Sequence, residues 1–256
     1  MDRSEISRIA HSDHPICAPV SETRLRRLVA AVNLPVGGTV LDLGCGEGEW
    51  LLAALETHAE SRGIGLDLAL PPDILVAAGR RGLADRVRWV EADASGWSDG
   101  LHDAVFCVGA SHAFGGLEAT VKAVRTHLRP GGQVVLGDSF WERSPSQSAQ
   151  DALEATPDDF PILADFVALV TDAGFEIVAA HVSTLEEWDD YEWSWTGSLT
   201  RWAVDQTAAS PDRAEALAAA HSHRDAWLRG YRQEFGFVTL VLTDVSDAQA
   251  LDARTA

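Results

Sequence analysis

Residues 39–50 read Thr-Val-Leu-Asp-Leu-Gly-Cys-Gly-Glu-Gly-Glu-Trp, and their pattern predicts a strand, a turn and a helix in succession. The aliphatic run at 40–43, with a single acid, is typical of a buried β-strand. Glycines at 44, 46 and 48 predict a tight turn, because glycine adopts positive φ freely and lets a ligand approach the backbone. The apolar spacing of Trp50, Leu51 and Leu55 predicts that a helix begins directly after the turn. A helix N-terminus reached through such a turn favours ligand binding.

The glycine spacing argues against a nicotinamide dehydrogenase. Dinucleotide-binding turns carry G-x-G-x-x-G, whereas this turn has G-x-G-x-G with Glu49 where the third glycine would stand. Asp42 would be a costly buried charge unless it has a partner. We expect it to hold the amides of the turn and to face a positively charged ligand, since a phosphate would prefer the bare amides.

Strand-like runs alternate with helical patterns along most of the chain. Near-continuous apolar strands separated by helices predict an α/β fold with a doubly wound, mostly parallel sheet covered on both faces. The predicted strands are Val40–Leu43, Gly63–Leu66, Val87–Glu91, Ala104–Val108, Gln133–Gly137, Phe175–Ala179 and Phe235–Leu242.

Two acids stand where predicted strands end. Asp67 is placed to accept both hydroxyls of a ribose, as acids in dinucleotide folds do. Asp93 is placed to accept from an adenine amine, with the next backbone N–H meeting a ring nitrogen. For both residues the alternative interpretation is an ordinary helix cap.

Four segments together resemble the class I S-adenosylmethionine-dependent methyltransferases: Val40–Gly48, Gly65–Asp67, Glu91–Ala94 and Leu128–Val135. More narrowly, they resemble small-molecule enzymes of the ubiquinone/menaquinone-biosynthesis methyltransferase superfamily. The resemblance covers roughly residues 36–180 and the final strand. It implies a Rossmann-like sheet of seven strands, the last antiparallel, with S-adenosyl-L-methionine as cofactor. The cofactor-binding residues that we expect are Asp42, Gly44, Cys45, Gly46, Gly48, Asp67, Leu68, Asp93, Ala94 and Val108.

The chain organisation departs from a minimal domain at two places. We expect an N-terminal lid segment and helix at 1–35, the cofactor-binding core at 36–183, a helical insertion at 184–234 and the final core strand at 235–245. The insertion consists of two predicted helices split near Ser210–Pro211, and we interpret it as a cap over the carboxyl ends of the strands. The polar stretch Ser144–Ser148 predicts a mobile loop.

The acceptor side is predicted from groups that follow strands or precede the first helix. We expect His112, after the fourth strand, and His14 to be catalytic, as bases or groups that orient the acceptor. For His112 the alternative is a loop histidine bonded to backbone, and for His14 it is an ordinary N-terminal loop histidine positioned by Asp13. The residues that we expect to bind substrate are His11, Asp138, Trp141, Trp188, Tyr191 and Trp195.

Five tryptophans lie between positions 141 and 202, close to a run of acids at 186–192. This composition suits a flat apolar or cationic small-molecule acceptor. The alternative is that the tryptophans anchor an inserted helix to the core. No metal is expected, because Cys107-Val108-Gly109 stands where metal-dependent catechol-type enzymes want an acid.

Methyl transfer to an N, O or C atom of that acceptor is the leading hypothesis. Two alternatives remain: another use of the sulfonium, such as cyclisation or elimination, and a non-catalytic module that only binds the cofactor. A formal net charge of −19 disfavours nucleic acid and anionic membrane surfaces as partners. The N-terminus lacks the apolar core of a signal peptide, and no apolar run is long enough to span a membrane, so a cytoplasmic monomer or homodimer is expected.

Overall fold

Seven strands form one sheet in the computed structural model, which describes residues 1–246 apart from the side chains of Arg3 and Ser4. The strands lie in the order β3-β2-β1-β4-β5-β7-β6. Strands β1 to β5 pair in parallel, and β7 runs antiparallel to β6, so the predicted fold class is confirmed. Their bounds are β1 Thr39–Leu43, β2 Arg62–Asp67, β3 Val87–Glu91, β4 His102–Val108, β5 Leu128–Trp141, β6 Phe175–Val182 and β7 Phe235–Asp244.

Helices fill the connections between the strands. Two short 3₁₀ turns follow β3 and β4, at Ala94–Gly96 and Ser111–Phe114, and a π turn at Trp227–Tyr231 precedes β7. No helix within residues 1–246 is both long and apolar enough to cross a membrane. The α-helices are α1 Arg3–Ala10, α2 Glu22–Ala30, α3 Glu49–Thr57, α4 Ile74–Arg80, α5 Leu117–Thr126, α6 Gln147–Leu153, α7 Leu163–Asp172, α8 Leu185–Asp205 and α9 Pro211–Ala226.

The chain divides into two compact units. Unit 1 comprises Met1–Ser21, Phe140–Ile162 and Ser183–Gly236. Unit 2 comprises Glu22–Ser139, Leu163–Val182 and the chain from Phe237. The predicted helical insertion at 184–234 falls within unit 1, and most of the sheet belongs to unit 2.

Unit 2 is built around β1, whose residues from Val40 to Leu43 are all buried. Helix α3 packs on β1 and β2, α5 packs on β4, and both α2 and α7 pack on β6. The chain order reverses between β1 and β4, because β2 and β3 lie on one side of β1 while β4 and β5 lie on the other. Open α/β sheets bind their ligands outside the carboxyl ends of the strands at such a reversal.

Unit 1 is helical and has two buried apolar clusters. One joins α1, α8 and α9 through residues such as Ile9, Leu199 and Ala216. The other joins α6 and the π turn around Trp141 and Trp227. The predicted split of the insertion is confirmed, since Pro211 is the first residue of α9 and Ser210 precedes it.

The loop predicted at Ser144–Ser148 is shorter than expected. Residues 144–146 are irregular, but the side chain of Ser146 accepts from the backbone N–H of Ala149 and caps α6, which begins at Gln147. Strand β5 is also longer than expected, because Leu128 pairs with His102 before a register shift. Pro130, Gly131 and Gly132 hid that extension, since they are poor strand formers.

Candidate functional site

The glycine turn after β1 holds its backbone in the conformation that glycine permits. Gly44, Gly46 and Gly48 have φ of 75°, 50° and 79°. The N–H groups of Gly44 and Cys45 donate to the carbonyl of Leu66, at 2.8 and 2.9 Å. This fixes the turn against the end of β2, with Gly48 as the N-terminal cap of α3.

The two acids at strand ends, Asp67 and Asp93, differ in the number of carboxylate oxygens that accept hydrogen bonds from the protein. Asp67 accepts from the Gly46 N–H through Oδ2 at 2.9 Å and from the Ala69 N–H through Oδ1 at 3.2 Å. Each carboxylate oxygen can accept a second hydrogen bond, and Asp67 is half-buried, so ribose hydroxyls can still bind there. Asp93 is exposed and caps the following turn, accepting from the N–H and hydroxyl of Ser95 through Oδ1. Asp93 therefore acts as a cap, as the alternative interpretation predicted, and it does so through Oδ1.

Asp42 is buried, with 2% of its surface exposed, and its Oδ2 has no hydrogen-bond partner among the described residues. Burial, and next the charge of Asp67, raises its pKa to about 7, while a bond from the Leu51 backbone opposes that rise. The expectation that Asp42 holds the amides of the glycine turn was wrong. The carbonyl of Leu66 and the carboxylate of Asp67 hold those amides instead.

Two glycines leave room for an indole ring that the sequence analysis did not single out. A Cβ on Gly65 would lie 2.3 Å from Cζ3 of Trp89, and one on Gly48 would lie 2.5 Å from its Cη2. A Cβ added to Gly44 would likewise lie 2.4 Å from the Cβ of Ala110. This packing could be predicted from sequence only if an alignment of homologues showed that these glycines and the tryptophan are conserved together.

The remaining predicted cofactor residues differ in how much of each side chain is exposed. Cys45 and Ala94 are buried, and Val108 is half-buried at the end of β4. Leu68 is 69% exposed, which is unusual for an apolar side chain directly after a buried strand. An exposed leucine beside Asp67 offers an apolar surface on which a flat base can lie.

His112 lies in the turn after β4 and interacts with the charge of Asp138, which lies within β5. Asp138 accepts from the N–H of Ser139 at 2.8 Å and from the hydroxyl of Ser111, and the imidazole of His112 interacts with its charge. Burial nevertheless raises the pKa of Asp138. Burial and the charges of Asp42 and Asp138 raise the pKa of Cys107, so its thiol stays protonated between these acids. Ser111 is a site residue that the sequence analysis missed.

In unit 1, Tyr191 lies between the two predicted N-terminal histidines. The Nε2 of His11 is 2.9 Å from the Tyr191 hydroxyl, and its Nδ1 is 2.8 Å from the carbonyl of Ser7. The ring of His14 stands edge-on to Tyr191 at 5.3 Å, and its buried Nδ1 has no partner among the described residues. Burial lowers the pKa of both histidines, so both are neutral at pH 7.

The predicted tryptophans of unit 1 serve different purposes. Trp141 is fully buried against Phe160 and Phe235, which matches the anchoring alternative. Trp195 stacks on His223 with ring centroids 3.8 Å apart. Trp188 is half-buried and approaches Tyr191 edge-on at 6.2 Å.

A buried network behind these rings was not predicted. Glu192 is 1% exposed and accepts from the hydroxyl of Tyr231 at 2.6 Å, while its other oxygen is 2.6 Å from Nε2 of His223. These partners lie on α8, α9 and the π turn, and nothing in their sequence spacing brings them together. Within residues 1–246, no cluster of three His, Cys, Asp or Glu side chains is arranged to hold a metal ion.

A family model described as a methyltransferase domain matches residues 40–132. A crystal structure of an S-adenosylmethionine-dependent methyltransferase from Thiobacillus denitrificans, in complex with S-adenosyl-L-homocysteine, is 32% identical with a TM-score of 0.83. The match covers 94% of this chain and 99% of that chain.

Two further matches extend over most of the chain. A methyltransferase of the same description from Geobacter sulfurreducens, also in complex with S-adenosyl-L-homocysteine, is 29% identical with a TM-score of 0.85, covering 93% of this chain and 97% of that chain. The uncharacterized protein YjhP of Escherichia coli K12 is 29% identical over 220 residues, 83% of this chain and 86% of that protein.

Proposed function

This chain belongs to the S-adenosylmethionine-dependent methyltransferases, and from that premise we propose that it methylates an N, O or C atom of a small organic acceptor. S-adenosyl-L-methionine is the cofactor. Its sulfonium methyl is already activated, so the protein has to align a nucleophile, exclude water and, for some acceptors, remove a proton.

The main support for the assigned cofactor residues is the buried Oδ2 of Asp42, which has no partner among the described residues. A buried carboxylate oxygen without a partner is costly, and a positively charged ligand at the adjacent turn would relieve that cost. In this proposal Asp42 faces the charged methionine end of the cofactor, and the amides of the glycine turn lie against it. Asp67 accepts the ribose hydroxyls, and the exposed carboxylate of Asp93 accepts from the adenine amine.

His112 is our candidate for the group that accepts a proton from, or orients, the methyl acceptor. Its support is its place directly after β4 and its interaction with the buried Asp138, which can orient the imidazole toward the acceptor. His14 is a second candidate, because a neutral ring with an unpartnered Nδ1 can accept a proton. The aromatic surroundings of His14 favour an aromatic acceptor.

A labelling experiment tests the proposed reaction. The protein is incubated with S-adenosylmethionine that carries a deuterated methyl group and with a panel of small aromatic, amine and carboxylate compounds, and products are identified by mass spectrometry. We expect a product that carries the label together with an equal amount of S-adenosylhomocysteine. A rearranged product without the label would contradict methyl transfer and favour the cyclisation or elimination alternative.

A further inference from the structure

Unit 1 contains a cavity of about 210 Å³, and Trp188 is the lining residue for which the sequence predicted a substrate-binding role. Its apolar walls come from the start of α8, the π turn and the start of β7. The residues on which the inference depends are Arg143, Ser183, Trp188, Trp227, Tyr231 and Phe235.

The volume and walls of this cavity suit a single flat ring. An apolar cavity of roughly 150 Å³ holds a benzene molecule, so 210 Å³ leaves room for a ring and one polar substituent. Trp188 approaches Phe235 at 6.0 Å and Tyr231 at 6.4 Å between ring centroids. The hydroxyl of Tyr231 is fixed by Glu192, and Trp227 stands edge-on to Trp193 at 5.0 Å. The aromatic walls are therefore held in place without a ligand.

Two buried polar atoms of the lining residues have no partner. Ser183 is 6% exposed, and its hydroxyl makes no hydrogen bond within the described part of the chain. The indole Nε1 of Trp188 is likewise buried and unpartnered. A buried polar group without a partner is destabilising, and a ligand that pairs with it removes that cost. An indole N–H only donates and a hydroxyl donates readily, so both groups call for an acceptor oxygen on a ligand.

Among the residues that line the cavity, guanidinium groups outnumber carboxylates two to one, which favours an anionic ligand over a cationic one. Arg143 lines it with an exposed guanidinium, and Arg232 lines it while bound to Asp189 through Nε and Nη2 at 2.9 and 2.8 Å. Glu142 is the acid among the lining residues. Guanidinium groups recognise carboxylates well because their geometry permits paired hydrogen bonds.

We propose that this cavity binds a planar aromatic acid. The ring lies among Trp188, Tyr231 and Phe235, and the carboxylate accepts hydrogen bonds from Ser183, the indole of Trp188 and Arg143. The site lies within unit 1 alone, so the proposal does not depend on methyl transfer and its failure would leave the proposed function untouched.

Calorimetric titration of the full chain with three probes tests the ligand class. The probes are benzoate, benzylamine and cyclohexanecarboxylate, each titrated in the presence of saturating S-adenosylhomocysteine to keep the cofactor turn occupied. We expect saturable binding of one benzoate per chain, at least about tenfold weaker binding of cyclohexanecarboxylate, and no binding of benzylamine. Preferential binding of benzylamine, or no saturable binding of benzoate, would overturn the proposal.

Variants locate the site. Ser183→Ala, Trp188→Phe and Arg143→Gln should each weaken benzoate binding by about tenfold, the effect of losing one hydrogen bond to a charged group. Arg143 is exposed, so its variant tests the site even if a buried substitution fails to fold. The matched controls are Trp97→Phe, which removes another buried indole N–H without a partner, and Arg80→Gln, an exposed arginine on α4. Equal losses in the controls, or unchanged binding in all three site variants, would contradict the assignment.

Discussion

At the scale of single residues, the buried carboxylate of Asp42, whose Oδ2 has no partner among the described residues, links stability to ligand binding. Burial raises its pKa to about 7 from an ordinary value of 3.8. Between those pH values the folded protein binds the proton more tightly than the unfolded chain does. The free energy of unfolding therefore falls as pH rises from about 4 to about 7, by a total on the order of 4 kcal/mol from this group.

Replacing Asp42 with Asn should remove that dependence. We expect Asp42→Asn to be more stable than the wild type at pH 8 without cofactor, and to lose less stability between pH 5 and pH 8, because an amide carries no charge to bury. Urea unfolding at the two pH values measures both effects. Asp158→Asn, at an exposed loop position, is the control and should keep the wild-type slope. Equal slopes for Asp42→Asn and the wild type would contradict the environment assigned to Asp42.

His112 carries a second prediction at this scale. His112→Gln should lower kcat for an identified acceptor by about 10²-fold, the lower end of what general acid–base groups contribute. The affinity for S-adenosylhomocysteine should stay unchanged, because the proposed role concerns only the acceptor. His221→Gln, an exposed histidine on α9, is the matched control. Full activity in His112→Gln would remove His112 from the mechanism.

At the scale of elements, the indole of Trp89 on β3 is packed against the backbone of β2 and of the glycine turn. Gly65 and Gly48 both approach the ring so closely that an added Cβ would overlap with it. The ring thereby ties the positions of β2, β3 and the start of α3 together. We infer that the shape of the turn depends on this packing as well as on the freedom of its glycines.

Gly65→Ala tests that inference, since Gly65 lacks the positive φ that would strain any side chain. We expect a loss of about 1–3 kcal/mol in the free energy of unfolding, as overpacked cores show. The affinity for S-adenosylhomocysteine should also fall as the ring moves against Gly48. Gly79→Ala on α4 is the control: its Cβ would meet nothing within 4 Å, so the variant should be as stable or slightly more stable. A Gly65→Ala protein with wild-type stability and affinity would refute the packing argument.

The elements were largely predictable because local pattern and tertiary structure agree. The buried run Val40–Leu43 and the glycines after it define β1 and the turn, and both were predicted. The helix from Gln147 was missed, because the serines around Pro145 are as typical of a loop as of a capped helix. The Glu192–His223 contact could not be predicted, because these residues meet only after α8 and α9 pack on each other. The cavity could not be predicted either, because its walls come from α8, the π turn and β7, which are distant in sequence.

At the scale of the whole molecule, acidic residues outnumber basic ones 39 to 20. Such an excess destabilises a compact state through repulsion between like charges, and salt screens that repulsion. We expect the Tm to rise between 20 and 500 mM sodium chloride, by about 2–4 °C for each kcal/mol recovered in a chain of this size. Differential scanning fluorimetry measures it, with potassium chloride as a control for specific sodium binding. A Tm that falls with salt would show that ion pairs outweigh the net repulsion.

We propose that the turn after β1 and Asp67 together hold S-adenosylmethionine, and calorimetric titration with S-adenosylhomocysteine is the test. We predict saturable binding of one molecule per chain, weakened at least about tenfold in Asp67→Asn by the loss of charge-assisted hydrogen bonds. Asp73→Asn, at an exposed position before α4 whose side chain caps no amide, should bind like the wild type. A folded wild-type protein that releases no heat with this ligand, or an Asp67→Asn protein that binds it equally well, would contradict the account.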